Sequence, residues 1–134
     1  MRVTVLDSWA LLAFLRNEPA AEQVQALLEK AAQRDVPLLM TEVNYAEVKY
    51  ITLRKEGEAR WRAAADALVS LPIEFHPVDR ALADGAADIK ARFALSLADA
   101  FAAALAKQKK AELVTGDSEF KPLEGGIKIH WLQK

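Results

Sequence analysis

Cysteine is absent from this 134-residue chain. Its absence excludes disulfide bonds, thiol nucleophiles and sulfur-ligated metals, and it fits a reducing compartment. No apolar run approaches the ~20 residues that cross a bilayer, and the first residues enter a strand pattern directly instead of forming a signal peptide. We therefore predict a cytoplasmic protein that has no membrane partner.

A strong charge of either sign is also absent. The formal net charge is −1 and the pI is about 6.1, which disfavours a strongly basic DNA-binding module. An acidic site that holds a divalent cation is compatible with this balance. The length, with 52% hydrophobic and 28% charged residues, predicts one globular domain over residues 1–134.

Strand and helix patterns alternate along the chain. Short apolar runs predict β-strands at residues 3–6, 37–40, 73–76, 112–115 and 127–132. Longer runs predict helices at residues 9–15, 20–33, 41–55 with Thr41 as the cap, 58–70, 79–93 and 96–109. This alternation predicts an α/β fold, with right-handed crossovers and a parallel sheet covered on both faces.

Two aspartates directly follow predicted strands. Asp7 is the only charged residue between Arg2 and Arg16, and Asp117 follows the strand at residues 112–115. Considered alone, Asp7 is explained by a helix N-cap, and Asp117 is explained by a tight turn.

Two further acids lie in predicted helices. Asp99 is the only charge in an almost wholly apolar stretch, where an unpaired carboxylate is costly, although Ser96 and Asp99 also fit a capping box. Glu47 shares a helix face with apolar residues, although a side chain at the edge of that face would reach solvent. Glu42 competes with Glu47, but its position in the first turn favours a role in stabilising the helix dipole.

The predicted fold brings these four acids together. The strands place Asp7 and Asp117 at the carboxyl edge of the sheet, and right-handed crossovers return the first turns that carry Glu47 and Asp99 to the same edge. Four carboxylates in one cleft repel one another, and Mg²⁺ or Mn²⁺ relieves that repulsion. Because such an ion activates water and stabilises charge on a phosphodiester, the sequence predicts a metal-dependent hydrolase.

Four segments, in order, also resemble the acidic motifs of a known family. They are VLDSWALLAF at residues 5–14, TEVNYAEV at 41–48, LSLADA at 95–100 and LVTGDSEF at 113–120, and Glu18-Pro19 resembles the segment that often follows the first motif. The family is the PIN-domain family, and within it the VapC-type toxins of toxin–antitoxin pairs. Each motif alone is weak, but the resemblance covers almost the whole chain.

The resemblance implies a three-layer α/β/α fold with a five-stranded parallel sheet of order 3-2-1-4-5. It implies a Mg²⁺- or Mn²⁺-dependent endoribonuclease, acting on RNA as a homodimer, with an antitoxin whose tail covers the site. The expected metal-binding and catalytic residues are Asp7, Glu47, Asp99 and Asp117. The residues expected to orient ligands or waters, which capping or strand-end hydrogen bonds also explain, are Ser8, Asn44, Ser96 and Thr115.

Other functions stay open from the sequence. A non-catalytic PIN-fold module that binds RNA or protein would be indicated by the loss of an acid, and none is lost. A phosphoaspartate protein, either receiver-like or phosphatase-like, would use Asp7 as its nucleophile, but no acid stands two residues later. Cleavage of DNA in place of RNA is a third possibility.

Cations and aromatic residues indicate less about function. Lys49, Arg54 and Lys55 follow Glu47 and offer positive charge for RNA, whereas a helix C-terminus explains Lys107, Lys109 and Lys110. We interpret the two histidines and the three tryptophans as structural residues. These residues are His76, His130, Trp9, Trp61 and Trp131.

Overall fold

The computed structural model describes residues 3–133, in which strands and helices alternate. The strands are β1 (Thr4–Leu6), β2 (Leu38–Thr41), β3 (Ile73–His76), β4 (Glu112–Thr115) and β5 (Ile129–Trp131). The helices are α1 (Ser8–Leu15), α2 (Ala21–Arg34), α3 (Glu42–Glu56), α4 (Glu58–Val69), α5 (Arg80–Arg92) and α6 (Leu97–Lys109). Each lies within two residues of its predicted bounds.

All five strands form one parallel sheet in the order β3-β2-β1-β4-β5. The expected α/β class and strand order are therefore confirmed. The order reverses between β1 and β4, where Leu6 is paired with Val114. Asp7 and Thr115 follow that pair at the carboxyl edge, which is where open α/β sheets bind ligands.

Alternating strand residues face two separate cores. Val5, Leu39 and Leu113 pack with α5 and α6 on one face of the sheet, whereas Leu6 and Val114 pack with α1, α2, α3 and α4 on the other. This alternation follows from the two-residue period of a strand. The chain therefore has three layers, with the sheet between two groups of helices.

Three helices begin at the carboxyl edge with a side-chain cap. Asp7, Thr41 and Ser96 cap α1, α3 and α6, and each accepts a hydrogen bond from the backbone N–H three residues later. These bonds satisfy N–H groups that a helix cannot pair internally. The caps also determine where each first turn stands relative to the sheet, and three of the four predicted acids lie at or near these turns.

One element was not predicted. The sequence patterns assign neither helix nor strand to residues 118–126, but a 3-10 helix spans Ser118–Leu123. Asp117 begins it by accepting the backbone N–H of Glu119 at 2.9 Å, and Pro122 lies inside it.

Within residues 3–133, no helix combines the length and the apolar character that crossing a membrane requires.

Candidate metal centre

Asp7 lies at the centre of the carboxyl edge and is completely buried. Its Oδ1 accepts the backbone N–H of Ala10 at 2.9 Å, and its Oδ2 accepts a short hydrogen bond from the Thr115 hydroxyl. Burial raises the pKa of Asp7 from 3.8 to about 7, against the lowering effect of these two hydrogen bonds. The negative charges of Asp117 and Glu47 raise the pKa further. Asp7 is thus both the predicted N-cap and a member of an acidic cluster.

Asp99 lies in the first turn of α6, and only 7% of its surface is exposed. Burial raises the pKa of its carboxyl to about 8, and the charges of Asp117, Asp7 and Glu47 add to that increase. Its backbone N–H donates to the Ser96 hydroxyl at 3.1 Å, which is the capping contact that the sequence indicated. The structure therefore shows the cap and the acidic surroundings together.

Asp117 and Glu47 complete the predicted set. Both are partly exposed, and the charge of each acts on both buried aspartates. Glu42 takes no part in these interactions: it is exposed in the first turn of α3 and lines a surface groove with Tyr45 and Phe75. The charge of Glu47, and not that of Glu42, therefore acts on the two buried aspartates.

Glu119 was missed as a site residue. Asp99, Asp117 and Glu119 each place one carboxylate oxygen within 4.8 Å of the others, a spacing at which they can hold one metal ion. A hydrogen bond with Glu119 also raises the pKa of Asp99. The residue stands inside the fourth motif, two positions after Asp117. The fourth motif therefore contained this acid, but only the 3-10 helix brings its side chain back towards α6.

Thr115 links the two strand-end aspartates. Its hydroxyl donates to Oδ2 of Asp7 and accepts the backbone N–H of Asp117 at 2.9 Å. The side chain is completely buried at the end of β4. Among the four polar residues that the resemblance indicated, Thr115 is hydrogen-bonded directly to the carboxylate of a predicted metal ligand.

The other three polar residues contact the helix starts. Asn44 and Ser8 are buried and hydrogen-bonded to each other, with Nδ2 of Asn44 donating to Oγ of Ser8 at 3.0 Å. Ser96 is exposed and acts as the cap of α6. The hydrogen bonds of Asn44 and Ser8 join the first turns of α1, α3 and α6.

Histidines and cations lie apart from the acids. His76 contacts Glu74 at 3.3 Å on the edge strand β3, and His130 on the other edge strand, β5, contacts Glu112 of β4 at 3.5 Å. Lys107 and Lys109 lie in the last turn of α6, as the sequence indicated. Trp61 is a buried core residue. The structure shows no role in the acidic site for any of these residues.

Comparison with known proteins identifies the family. The family model described as PIN domain matches residues 4–125, and the chain therefore belongs to the PIN-domain family. No curated protein matches the chain.

Solved structures share the fold at low sequence identity. A chain of a VapBC complex from Rickettsia felis, bound to a DNA fragment from its promoter, superposes with a TM-score of 0.79 at 15% identity, and the match covers 98% of this chain and 99% of that one. A VapC toxin from Mycobacterium tuberculosis that cleaves the sarcin–ricin loop gives 0.73 at 17% identity, with 92% and 95% covered. FitAcB from Neisseria gonorrhoeae gives 0.69 at 21% identity, with 95% and 96% covered.

Proposed function

We propose that the chain is a metal-dependent endoribonuclease that hydrolyses RNA phosphodiester bonds, and that it is the toxin of a VapBC-type toxin–antitoxin pair. The observation that carries this proposal is the convergence of Asp7, Glu47, Asp99 and Asp117 in a PIN fold. Support for RNA as substrate comes from the fold shared with a toxin that cleaves the sarcin–ricin loop. We retain Mg²⁺ or Mn²⁺ as the cofactor, because hard divalent ions prefer carboxylate oxygens.

The residues present fit such an ion. Burial, together with the charges of the neighbouring acids, raises the pKa values of Asp7 and Asp99 to about 7 and about 8, so that ionising these carboxyls is costly without a bound cation. A divalent cation balances that charge and fits the spacing of the carboxylate oxygens of Asp99, Asp117 and Glu119. When bound, it supplies an activated water and charge stabilisation for the phosphodiester.

The chain's own residues hold the carboxylates in place. Both carboxylate oxygens of Asp7 accept hydrogen bonds, one from the backbone N–H of Ala10 and one from the hydroxyl of Thr115, so that this carboxylate has a fixed orientation. The bond from the Asp117 N–H to Thr115 joins the two strand ends. Glu47 and Asp117 are the more accessible acids of the set, and we propose that they face the substrate and its attacking water. Carboxylate oxygens whose positions are already fixed can bind a cation without further rearrangement.

We also propose that the chain acts in the cytoplasm as a homodimer with a cognate antitoxin. Support for an antitoxin comes from the fold shared with chains of toxin–antitoxin complexes. Support for a dimer comes from Tyr50 and Leu53, which are 49% and 36% exposed three residues apart on one face of α3. These two side chains offer apolar surface that a dimer interface would bury.

The test is cleavage of a pool of structured RNAs by the purified protein with Mg²⁺, with Mn²⁺ and with EDTA. Asp7→Asn removes one charge from the cluster, and the matched control is Asp79→Asn. Asp79 caps α5 by accepting the N–H of Leu82 at 2.8 Å, as Asp7 caps α1, but it stands outside the acidic cluster. We expect cleavage that requires metal, is lost in Asp7→Asn and persists in Asp79→Asn.

Two outcomes would contradict the proposal. Cleavage that persists in EDTA would exclude the metal mechanism. A wild-type protein that binds neither Mn²⁺ nor Mg²⁺ would favour a non-catalytic PIN-fold module. The phosphoaspartate alternative would use Asp7 as its nucleophile, and formation of an acyl phosphate on Asp7 without RNA cleavage would favour that alternative.

A further inference from the structure

Asn44 forms a buried hydrogen-bond network between three helices. Its Nδ2 donates to Oγ of Ser8 at 3.0 Å and to the backbone carbonyl of Ala98 at 3.1 Å. Its Oδ1 accepts the hydroxyl of Thr41, and its backbone carbonyl accepts the hydroxyl of Ser8 at 3.3 Å. The residue is completely buried. Its side-chain amide therefore has a partner for each of its polar atoms.

Each partner of Asn44 stands next to the start of an element that carries an acid. Ser8 follows Asp7, and Ala98 precedes Asp99. Asn44 itself lies in the first turn of α3, one turn before Glu47. The bonds span separations of 36 residues to Ser8 and 54 residues to Ala98. One amide thus joins three elements that do not adjoin in the chain.

The acids themselves oppose this arrangement. The negative charges of Glu47, Asp117 and Asp7 act on Asp99, and like charges at close range push their elements apart. A buried amide resists that separation, because breaking its bonds would leave polar groups unpaired away from water. Fixed neighbours of this kind determine how well ligands are oriented before an ion arrives.

We infer that Asn44 is a positioning residue, which holds the first turns of α1, α3 and α6 at the spacing that a divalent cation needs. This inference rests on the proposed function, because it concerns the same acidic site. Asn44 acts through Ser8 and the Ala98 carbonyl, and none of its hydrogen bonds goes to a carboxylate. Its effect should therefore appear as lower metal affinity in a protein that is still folded.

The experiment titrates the metal-free full-length chain with Mn²⁺ and measures the free ion by electron paramagnetic resonance. The variant is Asn44→Ala, and the control is Thr52→Ala. Thr52 is also buried on α3, at 3% exposure, but lies two turns further from the sheet edge. Circular dichroism and melting in EDTA define a temperature at which every protein is fully folded. Ser8→Ala, which removes only one partner of the network, is used if Asn44→Ala does not fold.

For Asn44→Ala we expect the Kd for Mn²⁺ to rise by about 10- to 100-fold, as for other residues that support metal ligands. Thr52→Ala should leave the Kd unchanged, and Ser8→Ala should raise it less than Asn44→Ala does. Unchanged affinity in folded Asn44→Ala, or in Ser8→Ala if it is the only folded variant, would overturn the inference and leave the proposed function standing. A wild-type chain that binds no Mn²⁺ would overturn both.

Discussion

Replacing Asp7 with asparagine should make the metal-free protein more stable while it abolishes cleavage. Asparagine is a good N-cap, and its Oδ1 can still accept the N–H of Ala10. The change removes a completely buried charge whose folded-state pKa is about 7, against 3.8 for the ordinary group. A shift of this size corresponds to about 4 kcal/mol of lost stability once the group is ionised.

The expected gain in the free energy of unfolding is smaller than the cost of the buried charge, because the substitution also weakens a hydrogen bond. Thr115 donates to the carboxylate of Asp7, and replacing that acceptor by an amide costs about 2 kcal/mol. The net increase in the free energy of unfolding is then about 2 kcal/mol. For a domain of this length it corresponds to a rise of about 8 °C in Tm.

The stability that Asp7→Asn gains over the wild type should depend on pH. Because the folded-state pKa of Asp7 is raised, its contribution to stability is fully present below about pH 4 and is lost as the pH rises through about 7. The Tm advantage of Asp7→Asn should therefore be absent near pH 4 and complete near pH 8. Differential scanning calorimetry in EDTA measures it, with Asp79→Asn as the control that should show no such trend. A variant less stable than wild type near pH 8 would refute the argument that burial of this charge dominates.

Three further predictions concern packing, metal binding and assembly. Gly116→Ala would place a Cβ 2.3 Å from the ring of Trp9, whereas a Cβ added at Gly125 would have no atom within 4 Å. We expect urea unfolding to show that Gly116→Ala lowers the free energy of unfolding by about 1–3 kcal/mol and that Gly125→Ala does not. Equal stability of the two variants would contradict this packing. Mn²⁺ should raise the wild-type Tm more near pH 8 than near pH 5, because protons compete for the buried carboxylates; a pH-independent shift in melting scans would argue against binding at Asp7. Leu53→Glu should convert a dimer into a monomer in light scattering, whereas Val69→Glu, at an exposed apolar residue of α4, should not; a wild-type monomer would exclude the proposed dimer.

Much of the fold could be predicted from residue patterns alone. Strand and helix periods located every strand and α-helix to within two residues, since apolar spacing determines which segments can bury one face. The handedness of crossovers then placed the ends of β1 and β4 and the starts of α3 and α6 at one edge of the sheet. That rule was enough to predict that Asp7, Glu47, Asp99 and Asp117 meet. The strand order itself came from the family resemblance, and not from the patterns.

The capping interpretations and the cluster interpretation proved compatible. Asp7, Ser96 and Asp117 each accept the backbone N–H that a cap or turn requires. A helix start at the carboxyl edge needs an acceptor for its free N–H groups, and the same edge gathers the acids. Local sequence could therefore identify each capping role, but it could not reveal that one carboxylate serves both purposes.

Only the tertiary structure decided the environment of each acid. Thr115 contacts Asp7 across 108 residues, and Asn44 reaches Ala98 across 54. The turn of the 3-10 helix brings Glu119 within reach of Asp99. These contacts depend on how the layers pack, and packing in turn determines burial and the pKa of each carboxyl. The sequence by itself determined that Asp7, Glu47, Asp99 and Asp117 meet at the sheet edge, whereas the packed structure added Glu119 and determined how closely these acids meet and how strongly their charges interact.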